Sequence, residues 1–185
     1  MPTTFVFVRH AEGTHNVKND YNNVIHKDAM ITDLGYTQIN EAVSNGIPGF
    51  ETYDAVFCSP LRRCCQTLIG LYPESVDYKV IVDDKLIEQP HGYHVCNMRS
   101  EKAVLLLNLP VMWDLSEVAE KNPYVFDIEL DKLRLAEFTN YVKNNYEGKK
   151  VLVVSHCTWI HNWLAIYENK SDIWLKNCEF IVAVV

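Results

Sequence analysis

Phe5-Val6-Phe7-Val8-Arg9-His10-Ala11-Glu12-Gly13-Thr14-His15-Asn16 is the stretch on which the reading of this chain turns. Four apolar residues run without a polar break and give way at once to a dense set of charged and polar groups. An unbroken apolar run suits a strand covered on both faces, which places the polar set at the carboxyl end of that strand. The same transition recurs twice. Ala55–Cys58 leads into Ser59-Pro60-Leu61-Arg62-Arg63-Cys64-Cys65-Gln66-Thr67, and residues 151–154 lead into Ser155-His156-Cys157-Thr158. Residues 80–82 and 180–185 are further short, β-branched runs, and helical spacing of apolar residues covers 34–43, 60–72, 130–146 and 158–167. Strands alternating with helices predict an α/β fold, a three-layer α/β/α sandwich with a mostly parallel central sheet. In such folds ligands bind outside the carboxyl ends of the strands, where the three polar sets collect.

A length of 185 residues fits one domain, 1–185, with a sizeable core. The net charge of −7 gives no global attraction for nucleic acid or an anionic membrane surface, so any anion site has to be local. Hydrophobic residues at 48% exclude a disordered or low-complexity chain. The 6 cysteines include an adjacent pair and form no CxxC motif, which favours reduced thiols over a disulfide framework or a zinc site. No signal-peptide pattern opens the sequence, and the longest apolar stretch, residues 103–113, is broken by Asn108 and Pro110, so a cytoplasmic protein without a membrane span is expected. Residues 88–126 resist the alternating pattern. With Pro90, Pro110 and Pro123 they read either as an insert over the active site or as a plain surface loop.

His10, Glu12 and His15 are all metal-ligand types, but their spacing is not that of HExxH, and no metal is expected. Taken alone, the segment reads by default with His10 as a satisfied structural histidine. The second strand end changes the balance. Ser59 reads as an N-cap and Pro60 as the first helical residue. Two arginines in that first turn oppose the helix dipole, which is easier to understand if an anion sits there. Arg62 suits a solvated position better than Arg63 does. His156 stands beside a further helix start, so three strand ends offer two arginines and two histidines to one anion. That set points to phosphoryl transfer through a histidine nucleophile.

Those segments, taken in order, resemble the motifs of the histidine phosphatase (phosphoglycerate mutase-like) superfamily. Residues 5–16 resemble its RHGE-T-x-x-N motif. Asp28-x-x-Ile31-Thr32-x-x-Gly35-x-x-Gln38, Ser59-Pro60-Leu61-x-Arg63-x-x-Gln66-Thr67, Leu86-x-Glu88 and Val153-Val154-Ser155-His156 match its later motifs. Residues 88–99, with Cys96-Asn97-Met98-Arg99, resemble the insert of plant and fungal mutase-like proteins of unassigned substrate. The resemblance implies a phosphoglycerate mutase-like fold and a phosphatase acting on a phosphomonoester, without metal or organic cofactor. His10 is then the nucleophile, and Arg9, Arg63 and His156 hold the phosphoryl oxygens. Asn16 helps position them, and Glu88 is the general acid and later the base. Cys157, Arg99 and His15 are further substrate-binding candidates, with His15 either facing the substrate or packing. His91, Tyr93 and His94 share the insert with Arg99. The expected partner is a small phosphorylated molecule, or alternatively a phosphopeptide. A mutase-type phosphotransferase and a non-catalytic phospho-ligand scaffold are the alternatives. Ala11 and Cys157 stand where the family usually has glycine, which matters if either position needs a positive φ.

Overall fold

The computed structural model describes residues 1–89, 94–122 and 128–185. Strands β1 (Thr4–Arg9), β2 (Ala55–Cys58), β3 (Ile81–Asp83), β4 (Asp114–Glu117), β5 (Lys150–Ser155) and β6 (Phe180–Val184) form one sheet in the order β4-β3-β2-β5-β1-β6. All neighbours are parallel except β1 and β6. The helices among the described residues are α1 (Asp33–Ser44), α2 (Arg62–Leu71), α3 (Lys102–Asn108), α4 (Ile128–Asn145) and α5 (Cys157–Tyr167).

Alternation along the strands explains the unbroken apolar runs. Successive side chains leave a strand on opposite faces, so a strand covered on both sides needs apolar residues at every position. Val6, Val8, Val56, Cys58, Leu152 and Val154 face one core, shared with Ile39 of α1 and Leu68 of α2. Phe5, Phe7, Phe57, Val151 and Val153 face the other, shared with Leu135 and Phe138 of α4 and Trp159 and Trp163 of α5. Three layers result. Trp163 packs against Phe5 and Phe7 at ring-centroid distances of 5.0 and 4.6 Å, and its indole N–H donates to Thr139 at 2.8 Å. Both the bulk and the polar tip of the indole are thereby satisfied. The six cysteines are free thiols, five of them buried. Among the described residues no helix is long and apolar enough to cross a membrane.

The sheet register brings the three polar strand ends together. Arg9 pairs with Ser155, and Val154 lies opposite both Val8 and Cys58, so β1, β5 and β2 finish at one edge.

Three sequence expectations need correction. Helix α2 starts at Arg62, with Leu61 as its N-cap, not at Ser59 and Pro60. Ser59 is engaged elsewhere, its hydroxyl 2.8 Å from His156 Nε2, and the Arg62 N–H donates to the Asp28 carboxylate at 2.8 Å. Residues 88–126 are not simply a cover over the sheet. Within them β4 extends the sheet beside β3, and Leu105 of α3 joins the core. Arg99, expected at the substrate, is a buried structural residue. Its guanidinium donates to both Asp84 carboxylate oxygens at 2.6 and 2.8 Å and to the carbonyls of Ser100, Ala119 and Lys121. A bidentate pair backed by further bonds from both terminal nitrogens to carbonyls ties the insert to the end of β3. Removing one partner leaves the other charge buried, so Arg99→Ala should lower stability by about 3–5 kcal/mol. Urea unfolding measures this directly, and a loss below about 1 kcal/mol would show that the pair is not the anchor described.

Candidate active site

The loop after β1 has few backbone partners of its own, and buried N–H groups need partners. Side chains supply them. Ala11 N–H donates to Thr67 Oγ1 at 2.9 Å, Glu12 N–H to Gln38 Oε1 at 2.8 Å and Gly13 N–H to Asn16 Oδ1 at 3.0 Å. Thr32 caps α1 through the Gly35 N–H and donates to the Glu12 carboxylate at 2.8 Å. Gly35 is required by close approach, since a Cβ there would lie 2.6 Å from the Glu12 carbonyl oxygen. From the other side, Asn177 and the Cys178 N–H bond the His10 carbonyl. Cys178 does so at φ +62, a left-handed conformation that is strained for cysteine. Neither Ala11 nor Cys157 has a positive φ, so their side chains cost no backbone strain.

His10 is held in one tautomer. Its Nδ1 lies 2.7 Å from the Ala11 carbonyl oxygen, which can only accept, so the proton sits on Nδ1. Nε2 keeps its lone pair and accepts from Arg63 Nε at 3.2 Å. The Arg63 guanidinium, 1% exposed, also donates to the Cys96 carbonyl at 2.7 Å and Asn97 Oδ1 at 2.9 Å. All three partners are neutral. Burial first, then the Arg63 and Arg9 charges, hold the His10 pKa well below its ordinary value.

His156 lies behind this pair, its ring centroid 5.1 Å from that of His10 and its Nε2 bonded to Ser59. Burial and Arg63 push its pKa down as well, so the resting site holds it neutral. His15, 5.8 Å from the His10 ring, is pushed to about 2, by burial and then Arg63. Its Nδ1 and the Arg9 Nε are buried without a partner among the described residues. Arg9 Nη1 donates to the Leu175 carbonyl at 2.7 Å.

Glu88 accepts from the backbone N–H groups of Gln89 at 2.8 Å, Thr158 at 3.3 Å and Trp159 at 3.0 Å. It therefore caps α5, while Asp28 caps α2. The helix starts expected to receive the anion are both taken by carboxylates, and the positive charge of the site comes from side chains. Burial raises the Glu88 pKa, against the opposing effect of the backbone bonds and Arg63.

A cleft of about 290 Å³ is lined by Arg9, His10, His15, Asn16, Arg63, Glu88 and Cys157, together with Tyr21, Gln89, His94, Cys96, Asn97 and Thr158. His156 borders it from behind, fully buried, and Arg99 does not reach it. His91 and Tyr93 lie outside the described residues. The residues not anticipated are Asn97, which fixes Arg63, Ser59, which fixes His156, and Tyr21, whose ring lies between His15 and His94 at 5.9 and 5.1 Å. Asn97 carried a signal as part of the insert resemblance and Ser59 as part of the motif around Arg63, whereas Tyr21 carried none. Among the described residues no group of three or more His, Cys, Asp or Glu side chains is placed to hold a metal ion.

The model of the histidine phosphatase superfamily, branch 1, matches residues 5–179. The chain belongs to that superfamily. A phosphoglycerate mutase-like protein from Arabidopsis thaliana is 22% identical over 230 residues, covering 98% of this chain and 84% of that protein. Bacillus stearothermophilus YhfR superimposes with a TM-score of 0.68 at 17% identity, over 97% of this chain and 90% of that one. The ecdysone phosphate phosphatase of Bombix mori, in complex with tungstate, gives 0.65 at 15% identity over 99% and 92%. A phosphoserine phosphatase mutant from Entamoeba histolytica, in complex with phosphoserine, gives 0.63 at 17% identity over 97% and 89%. These likenesses fix the histidine phosphatase fold.

Cys157, the one half-buried thiol, donates to the Leu175 carbonyl at 3.5 Å. Burial pushes its pKa up, which makes it a weak nucleophile at neutral pH.

The neutral histidines set a pH dependence. His10, His15 and His156 have folded pKa values below 6.5, whereas the unfolded chain protonates all three near that value. Below pH 6.5 the unfolded state therefore binds more protons, and stability falls with pH. Each histidine contributes a slope of up to about 1.4 kcal/mol per pH unit. Urea unfolding from about pH 7.5 to about pH 5 should show the loss, and saturating inorganic phosphate should oppose it. A flat profile through this range would contradict the buried, neutral histidines.

Proposed function

We propose that the protein is a phosphatase that hydrolyses a phosphomonoester through a phosphohistidine on His10. The observation that carries the reading is the fixed His10 tautomer, with Nδ1–H on the Ala11 carbonyl and the Nε2 lone pair at the Arg63 guanidinium. Membership of the superfamily supports it, as do the phosphatases among the structural neighbours.

His10 Nε2 attacks phosphorus and the bond to the leaving oxygen breaks. Glu88, whose raised pKa favours the neutral acid, gives that oxygen its proton. The imidazole, now bearing both a phosphoryl group and the Nδ1 proton, is cationic, and the Ala11 carbonyl stabilises it. Ionised Glu88 then takes a proton from water as the water attacks phosphorus, which releases inorganic phosphate and restores neutral His10. Arg9, Arg63 and His156 hold the phosphoryl oxygens, with Asn16, His15 and Cys157 around the substrate. A bound phosphoryl dianion favours protonation of His156, which turns it into a charged donor only when the site is filled.

No metal enters this scheme and no cofactor is needed, so turnover should persist in excess EDTA. A mutase reading draws support from the names of the plant relatives. It also needs cations for a second acidic group, and Arg99 is committed to Asp84. A phospho-ligand scaffold would bind without turnover of a simple aryl phosphate.

Quenched reaction with labelled aryl phosphate should place acid-labile phosphate on His10, and His10→Ala should abolish release of inorganic phosphate. Label on Cys157, or full activity in His10→Ala, would overturn the mechanism. Glu88→Gln should slow alkyl phosphates by about 10²- to 10⁴-fold and slow esters with very good leaving groups much less. Equal slowing of both classes would remove the acid role in leaving-group departure.

A further inference from the structure

A second cavity adjoins the catalytic cleft. It has a volume of about 350 Å³ and is lined by Leu135 and Lys132 of α4 and by Thr158, Asn162, Ala165 and Ile166 of α5. Gln89 and Thr158 line both cavities. Glu88 stands at this junction, since its carboxylate accepts the backbone N–H groups of those same two residues. An oxygen that takes the Glu88 proton leaves next to the mouth of the second cavity.

The cavity wall follows from helix geometry. Trp159, Ile160, Trp163 and Leu164 are the buried stripe of α5, and residues 158, 162, 165 and 166 form a stripe on another face at helical spacing. Polar side chains come first, nearest the cleft, and apolar ones follow. At 1.5 Å per residue the stripe runs about 12 Å away from Glu88. Gln89 fixes the floor, donating to the Asp131 carbonyl at 2.8 Å and accepting from Asn162 at 2.7 Å, so the cavity is preformed. Its charged groups have partners along α4, one pair exposed and one buried. Lys132 pairs with Glu129 at 2.9 Å, and Asp131 pairs with Arg134. In the cleft, Arg9 and Arg63 match the charge of about −1.5 to −2 on a phosphoryl group.

We propose that this cavity is the leaving-group subsite, and that it selects phosphomonoesters of uncharged, predominantly apolar alcohols. The inference rests on the phosphatase reading above and adds the substrate class. The fixed polar groups at the mouth accommodate the ester oxygen, and Leu135, Ala165 and Ile166 take the carbon skeleton beyond it. A terminal carboxylate reaching the apolar end formed by Leu135, Ala165 and Ile166 would meet no matching charge on those side chains.

Steady-state release of inorganic phosphate from ethyl phosphate, hexyl phosphate and the hexyl ester bearing a terminal carboxylate tests this on the unmodified protein. Burying several methylenes should raise kcat/KM for hexyl over ethyl phosphate by about 10²-fold, and the terminal carboxylate should remove most of that gain. Ala165→Trp and, on the exposed rim, Ile166→Trp should each lower the hexyl-to-ethyl ratio by about tenfold. Equal kcat/KM for ethyl and hexyl phosphate would overturn the subsite while leaving the phosphatase reading in place, as would preference for the carboxylate-bearing ester. No phosphate released from any ester, and none trapped on His10, would overturn both.

Discussion

A buried guanidinium without a carboxylate partner among the described residues governs this site. Arg63 is taken out of water beside His10, Cys96 and Asn97, whose acceptors are an imidazole nitrogen, a carbonyl and an amide oxygen. Neutral acceptors satisfy hydrogen bonds without cancelling charge, and an uncompensated buried charge costs several kcal/mol. Its field is felt throughout the cleft. It contributes to the lowered pKa values of His10, His15 and His156, and it opposes the rise at Glu88. The fold thus keeps its histidines neutral, and none of the three hydrogen-bond partners of Arg63 cancels its charge.

Holding that state requires a rigid frame, and the frame consists of the motif residues that do no chemistry. Thr67 and Gln38 bond the backbone of the loop after β1, and Gln66 accepts the Ile31 N–H at 2.9 Å. Asp28 uses one carboxylate oxygen for the start of α2 and the other for Ser100. Arg99 and Asp84 then lock the following segment, and that segment delivers Cys96 and Asn97 to Arg63. Spacing in the sequence becomes spacing around one guanidinium.

Strands were legible because burial on both faces demands runs such as Phe5 to Val8, and the strand ends because polarity changes there abruptly. The meeting of Arg9, His10 and Arg63 in one cleft followed from those ends, whereas Glu88 was marked only by the family resemblance. Arg99 was misread, since an arginine in a polar loop looks like a ligand contact until its carboxylate is known. Asp84 lies fifteen residues away and has no pattern linking it to Arg99. The helix starts were misread for the same reason. Ser59 and Pro60 form a good local cap, but tertiary partners, His156 and Asp28, take precedence over local propensity. The strand β4 escaped notice because Asp-Leu-Ser-Glu offers one apolar residue, and only the neighbouring β3 makes it a strand.

The two positions that depart from the family's glycines show how little conformational freedom this site needs. Ala11 is fully buried, with its N–H on Thr67, and its methyl group sits in the core shared with Val8 and Ile31. At Cys157 the thiol donates to the Leu175 carbonyl, the same oxygen that receives Arg9 Nη1. A small side chain at each position therefore fills space that glycine would leave open, and at 157 it shares the acceptor that anchors Arg9 in the cleft wall. Shape and charge are met by different residues here, since the fixed loop takes its geometry from Thr67, Gln38 and Gly35 and its field from Arg63 and Arg9. Such a division lets the glycine positions change while the cationic cleft stays constant.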